Sequence, residues 1–188
     1  MKNNMGIRAI ALVLCLSMLP AASALAWKAS GKGVVRRGNF SDSGITFKVP
    51  ASFTVDKIVT GKSDDKIELL GPKDINGFIP QITVWVMKEA LDLDAATQQD
   101  VVDEIEDDLD GENALCLVDE KIEINGDDAL RRRFFYNGED GRMRIMYRYD
   151  MNVSGYGVII EYRAYTATRT LPEEIPEVPA IAESMAIE

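Results

Sequence analysis

Residues 116–151, CLVDEKIEINGDDALRRRFFYNGEDGRMRIMYRYDM, indicate the fold of this chain most clearly. Its hydrophobic pattern predicts strands at about 116–124, 128–136 and 141–151, and a fourth strand follows at about 156–166. Asn125-Gly126 is a strong hairpin signal, because both residue types tolerate the positive φ of a two-residue turn. The run NGEDG at 137–141 predicts a second turn. These turns indicate a largely antiparallel sheet.

Further strands and two helices are predicted on either side of this stretch. Strands are expected at about 45–49, 53–60, 66–70 and 82–87, where β-branched and aromatic residues alternate or cluster. The period then changes to that of a helix over about 94–109, with Asp94 as N-cap and Gly111 after its end. Its apolar residues fall on one side, and acidic residues cover the rest. A short helix is predicted near 179–185, with Pro179 in its first turn.

This order of elements predicts an α+β fold. The simplest way to bury the apolar stripes of both helices is to pack them on a twisted, mainly antiparallel sheet. The sequence therefore predicts one domain in which the sheet is flanked by one long acidic helix and a short C-terminal helix.

The first 26 residues are typical of a cleavable signal peptide. Lys2 and Arg8 precede the apolar run at 9–19, and small residues at 22–26 suit a signal peptidase. We expect cleavage after Ala26, with cleavage after Ala24 as the alternative. An uncleaved anchor is disfavoured, because a membrane-spanning helix needs roughly 20 apolar residues. The sequence therefore predicts a signal peptide at 1–26 and a single domain at 27–188, located in the periplasm or outside the cell.

The composition limits the binding partners and the catalytic or metal chemistry that can be expected of this chain. The formal net charge is −10, and it becomes −12 when Lys2 and Arg8 leave with the signal peptide. Such a charge repels phosphates, so we expect neither nucleic acid nor an anionic membrane surface as a partner. No later segment approaches membrane-spanning length, so we expect no stable membrane insertion after cleavage. The chain has no histidine, which removes Ser-His catalysis and His-ligated metals, and we expect a non-enzymatic protein without a cofactor. Only Cys116 remains in the mature chain, where an apolar run predicts a buried small side chain.

Arginines on two adjoining strands are the candidate binding residues. Pairing 128–136 with 141–151 so that their apolar sides agree places several arginines together on the opposite face. These candidates are Arg131, Arg133, Arg142, Arg144 and Arg148. One interpretation is internal pairing with acidic residues or simple solvation. The other is a docking face for an anionic ligand or an acidic protein surface, since guanidinium groups bind carboxylates in a bidentate manner.

The acidic run at 106–113 superficially resembles a calcium loop. Asp108, Asp110 and Gly111 stand at suitable positions, but Glu106 replaces the first aspartate. Leu117 stands where the bidentate glutamate is needed. A solvated helix face is the favoured interpretation, with calcium binding as the alternative.

Four short motifs in the same order resemble the PsbP-like family. They are ITFKVPASF at 45–53, PQITV at 80–84, INGDDALR at 124–131 and IAESMAI at 181–187. The resemblance implies an α/β/α sandwich around an antiparallel sheet, and a domain that binds other proteins rather than catalysing a reaction. The absence of histidine means that no histidine-based metal site is carried over. Function varies within a fold, so the resemblance supports architecture more than activity.

Together these features predict an exported, non-enzymatic binding or accessory domain of the cell envelope that acts through protein–protein contact. The alternative is a small-anion-binding or calcium-binding domain. An enzyme that works with carboxylates alone is the third hypothesis, and no residue pair in the sequence points to it.

Overall fold

A computed structural model of the chain describes residues 28–30, 34–36, 45–74, 77–166 and 175–187. The predicted signal peptide at 1–26 lies outside the described residues. In chain order the described elements are β1 (Lys28–Ser30), β2 (Val34–Arg36), β3 (Ile45–Lys48), β4 (Thr54–Thr60), β5 (Asp64–Leu70), β6 (Gln81–Met87), α1 (Gln98–Asp108), β7 (Glu112–Ile124), β8 (Asp127–Asn137), β9 (Met143–Val153), β10 (Tyr156–Tyr165), α2 (Glu177–Glu183) and β11 (Ala186–Ile187). None of the described helices has both the length and the apolar character that crossing a membrane requires.

Two antiparallel sheets account for the described strands. The large sheet has seven strands in the order β4-β5-β6-β10-β9-β8-β7, and the small sheet has four in the order β1-β2-β3-β11. Every described neighbour pair is antiparallel. The predicted α+β class with a mainly antiparallel sheet is therefore confirmed.

The turn residues act as their chemistry predicts. Asn125 and Gly126 have φ values of 56° and 89°, which is the backbone of a two-residue hairpin turn between β7 and β8. The side-chain Nδ2 of Asn125 also donates to the Glu183 carbonyl oxygen at 3.1 Å, which ties this hairpin to the end of α2. Ser154 and Gly155, with φ values of 48° and 86°, form the corresponding turn between β9 and β10.

The two faces of the large sheet have different roles. The core face, which carries Ile145 and Tyr147, packs against α2 and β3 and forms the main hydrophobic cluster. The opposite face, called the helix face below, carries Phe134 and Met146, which pack against α1. Directly opposed residues share a face in antiparallel pairs, so the register assigns each side chain to one of the two faces.

The helix α1 is shorter than predicted. It begins after Thr97, whose side chain and that of Asp100 each accept a hydrogen bond from the other's backbone amide. The predicted N-cap Asp94 instead forms a salt bridge with Lys121. The reason is a turn before the helix, in which Asp92 Oδ1 accepts hydrogen bonds from the amides of Asp94 and Ala95. The predicted long acidic helix is therefore wrong, although its buried side is correct.

Candidate functional site

A row of mostly charged side chains crosses the helix face in direct register. It spans six neighbouring strands from β5 to β7. Its members are Glu68, Thr83, Glu161, Arg148, Arg132 and Asp119. Charged side chains in the interior are stabilised only when they are paired and hydrogen-bonded, so each position in this row needs a partner.

Arg132 is at the centre of the paired part of the row, and 2% of it is exposed. Its Nε donates to Asp119 at 2.8 Å and its Nη1 to Asp150 at 2.9 Å. Its Nη2 donates to the Ala96 carbonyl oxygen at 2.7 Å, just before α1 begins. This guanidinium group therefore joins β7, β8 and β9 to the segment that leads into the helix.

Arg148 continues the network towards the middle of the sheet. Its Nε donates to Asp150 at 2.7 Å, while its Nη1 donates to Glu104 at 2.6 Å and to Glu161 at 2.9 Å. Glu104 comes from α1, so this contact fixes the helix to the sheet at a second point. Asp150 bridges the two arginines and is itself buried.

Glu161 is the least compensated member of the network. It is fully buried, and its Oε1 shares one Arg148 nitrogen with Glu104. Its Oε2 is buried and accepts no hydrogen bond from the described residues. Burial raises the pKa of Glu161 to about 7; Arg148 opposes this shift, and the negative charge of Glu104 adds to it.

A cleft of about 350 Å³ adjoins this carboxyl group where α1 leaves the sheet uncovered. The apolar residues that line the cleft are Trp85, Met87, Leu109 and Ile159. The charged residues that line it are Lys66, Glu104, Asp108, Glu161 and Arg163. Lys66 forms a salt bridge with Glu68 at 2.8 Å, and its Nζ lies 5.6 Å from the centre of the Trp85 ring. The cleft therefore combines an aromatic surface with charges of both signs.

Arg163 adds an unsatisfied donor beside the unsatisfied acceptor. Its Nη2 donates to Gln81 and Thr83 at 3.2 and 3.4 Å, but its buried Nε has no hydrogen-bond partner among the described residues. Arg163 and Glu161 are two residues apart on β10 and so lie on the same face. Buried polar groups are usually paired, and a cleft lined by two residues that carry an unsatisfied donor and an unsatisfied acceptor is suited to a polar ligand.

The structure divides the predicted arginine face between two faces of the sheet. Arg131 is opposite Tyr149 and Arg133 is opposite Tyr147, both on the core face. The buried Arg148 lies on the helix face, opposite Arg132, and Arg144 lies on the same face opposite Tyr136. The predicted register is wrong by one residue, because apolar residues occur on both faces of β8 and arginines occupy buried positions.

The predicted arginines also have partners within the chain. Arg131 pairs with Glu120, and Arg133 lies 6.0 Å from the centre of the Tyr147 ring. Arg142 and Arg144 each lie 5.4 Å from the Tyr165 ring. A docking role for the five arginines stays a prediction, but they do not form one common surface.

The acidic run at 106–113 is divided between the end of α1, a short connection and the start of β7. Within the described ranges, no group of three or more acidic or cysteine side chains is placed to hold a metal ion. Cys116, predicted to be buried, is half-buried, and its Sγ donates to the Val118 carbonyl oxygen at 3.1 Å.

Sequence reasoning missed the residues that matter most here, Arg132, Asp150 and Glu161. A signal was present for two of them, because Asp150 and Glu161 are each a charged residue inside a strand with apolar or aromatic neighbours on both sides. Such residues are rarely buried unless they are paired, so two of them on adjoining strands indicate an internal network. Arg132 stands between two other arginines, and this sequence context gives no sign of its burial.

A second surface lies at the outer edge of β7. Leu115 and Leu117 are 58% and 39% exposed, and with Phe135 and Met143 they line a cavity of about 410 Å³. In the large sheet, β7 pairs with β8 on one side only. An outer strand with exposed leucines is suited to contact with another polypeptide.

Comparison with known proteins gives weak structural likenesses. PA94, a protein of unknown function from Pseudomonas aeruginosa, shares 14% identity, with 65% of this chain and 78% of that chain covered and a TM-score of 0.41. A protein from Bacteroides thetaiotaomicron shares 9% identity over 77% of this chain and 45% of that chain, with a TM-score of 0.48. This chain thus spans less than half of that second protein. No protein-family model matches the sequence, and no curated protein matches it.

Proposed function

We propose that this chain is an exported, non-enzymatic binding domain of the cell envelope and that it binds a small polar ligand in the Glu161 cleft. One observation carries the proposal: a fully buried carboxyl group with one unpartnered oxygen forms part of the wall of a 350 Å³ cleft. Such groups cluster at functional sites, because a fold without a ligand gains little from burying an incompletely paired charge.

Binding is favoured over catalysis by the way the carboxylates are held. Glu104 and Glu161 both accept from the same nitrogen of Arg148, so each already belongs to the network that attaches α1 to the sheet. A general acid or base has to exchange its proton with a substrate, and this shared contact restricts both groups.

We further infer that the architecture is a variant of the PsbP-like α/β/α sandwich. Support comes from the packing of α1 on the helix face and of α2 on the core face. A PsbP-like protein is expected to work as an accessory domain, which agrees with a binding role.

The first experiment is thermal unfolding of the purified protein against amino acids, small organic anions and sugars at matched ionic strength. A ligand that binds the folded state raises the unfolding midpoint in a saturable manner. We expect one class to do so, and Glu161→Gln to abolish the rise. Glu123→Gln, an exposed glutamate on β7 far from the cleft, is the matched control. A panel without any saturable rise contradicts ligand binding in the cleft.

A second candidate function is contact with a protein partner at the β7 edge, favoured by the exposed Leu115 and Leu117. Photo-crosslinking from position 115 in intact cells, compared with the exposed position 123 on the same strand, tests it. A specific adduct from position 115 that Leu117→Lys removes supports this function, and equal labelling from both positions contradicts it.

The prediction that the arginines form a docking face has its own test, the double variant Arg133→Glu with Arg144→Glu. Unchanged partner capture by a folded double variant contradicts it.

A further inference from the structure

We infer that the ligand of the Glu161 cleft is a small zwitterion of the α-amino-acid class, bound through its ammonium group at Glu161 and its carboxylate at Arg163. This inference rests on the proposed function of the cleft and specifies the chemistry of its ligand.

The ammonium assignment follows from the charges that face Glu161. These are Glu104 from α1, Arg148 and Asp150 from β9, and Arg163 from β10. Of the cations, Arg148 is already shared between three carboxylates, and Arg163 donates to Gln81 and Thr83 and makes no hydrogen bond to Oε2. The Oε2 atom therefore lacks a cationic donor, and an ammonium group supplies both the charge and the hydrogen bond. Oε2 and Arg163 Nε are both shielded in this structure, so contact with a ligand requires side chains of the cleft wall to shift.

The carboxylate assignment follows from the donors beside that acceptor. Arg163 has an unpartnered Nε, and the ammonium of Lys66 lies in the same cleft wall. The Cα atoms of residues two apart on a strand are about 7 Å apart. A ligand with an ammonium and a carboxylate group on neighbouring carbons therefore suits two oppositely charged side chains that leave the strand at this spacing. A simple anion would meet Glu104 and Asp108 as well as the donors, so a net negative ligand is disfavoured.

The size and the apolar wall limit the rest of the ligand. A volume of about 350 Å³ is at the lower end of the range of roughly 300–1,000 Å³ for small-molecule sites. Trp85, Met87, Leu109 and Ile159 provide the apolar wall. The cleft therefore has room for one amino acid with an apolar side chain, and its three carboxyl groups disfavour the phosphates of a nucleotide.

The test is calorimetric titration of the full protein with three probes: L-leucine, N-acetyl-L-leucine and L-leucinamide. The second probe lacks the ammonium charge and the third lacks the carboxylate, while the side chain is constant. We expect L-leucine to bind and each analogue to bind at least ~10-fold more weakly, because each loses a charge-assisted hydrogen bond. Binding of L-leucine near pH 7 should also release part of a proton, since the ammonium favours ionised Glu161.

The possible results separate the inference of a zwitterionic ligand from the broader proposal that the Glu161 cleft binds a ligand. If leucinamide binds as tightly as leucine, the site recognises a cation alone, and if N-acetyl-leucine does so, it recognises an anion alone. Either result overturns the zwitterion while the cleft remains a binding site. The zwitterion is also overturned, while the cleft remains a binding site, if leucine fails to bind but a sugar or organic anion binds and Glu161→Gln abolishes that binding. If no probe or panel compound binds at millimolar concentration, both proposals fail. The probe series needs no variant, so the test does not depend on the folding of Glu161→Gln.

Discussion

Replacing Glu161 with glutamine should change how the stability of the protein depends on pH. Glutamine keeps the size of the side chain and an oxygen that accepts from Arg148, but it cannot ionise. The pKa of Glu161 is raised from 4.5 to about 7 in the folded protein, chiefly by burial. The folded state therefore binds more protons than the unfolded chain between these two values, and stability falls as the pH rises through this window.

The magnitude follows from the width of the window. A shift of one pKa unit corresponds to about 1.4 kcal/mol, so ionisation of Glu161 lowers the free energy of unfolding by roughly 2–3 kcal/mol between about pH 5 and about pH 8. Glu161→Gln should not show this decrease in the free energy of unfolding, because glutamine does not ionise. Relative to the wild type, we expect the variant to gain roughly 2–3 kcal/mol in free energy of unfolding between these two conditions.

Urea unfolding of both proteins at the two pH values measures this gain, and a control at Glu68 separates it from general effects. Glu68 stands in the same row, but its hydrogen bond from Lys66 keeps its pKa below the ordinary value. Its stabilising contribution is lost only as the pH falls below about 4.5, so Glu68→Gln should show nearly the same change in stability at both pH values. If Glu161→Gln behaves like Glu68→Gln, Glu161 is not a perturbed buried acid and the reasoning is refuted.

Three further substitutions test the structure around the site, each by urea unfolding. Arg132→Met should lower the free energy of unfolding by about 3–5 kcal/mol, because it leaves the buried Asp150 without one of its two cations; a loss under ~1 kcal/mol contradicts the network. Gly111→Ala should cost about 1–3 kcal/mol, because a Cβ would lie 2.4 Å from Ile105 Cγ2; an unchanged midpoint contradicts this close approach. Thr97→Ala should cost about 1 kcal/mol through loss of the capping box, and Thr97→Ser should restore most of it; equal loss in both variants contradicts the cap.

Local chemistry made most of the fold predictable. The hairpin at Asn125-Gly126 was found because only a few residue types tolerate its backbone, and the strands at 81–87 and 156–165 were found from their β-branched composition. The start of α1 was missed because Asp94 and Thr97 are both good N-cap residues. The choice between them depends on the turn at Asp92 and on Lys121, which is distant in sequence.

The site was harder to predict, because its register depends on buried charge. An argument that aligns apolar residues assumes that charged residues face the solvent, and Arg132 and Arg148 violate this assumption. Once these two arginines are counted as interior residues, the observed pairing of Phe134 with Met146 brings the apolar residues of β8 and β9 into agreement. The register of β8 and β9 therefore depends on buried ion pairs, which hydrophobic periodicity alone does not reveal.

Stability alone does not account for Glu161. Arg132 and Arg148 already attach the chain before α1 and the helix itself to the sheet through Ala96 and Glu104, and neither contact uses Glu161. A buried ionic group is often replaced by an apolar residue of similar size at no loss of stability. An apolar residue at 161 would remove an incompletely paired charge and leave Arg148 with Asp150 and Glu104. The carboxyl group therefore imposes a cost that the fold does not require, and a cation entering the cleft at this point would offset that cost.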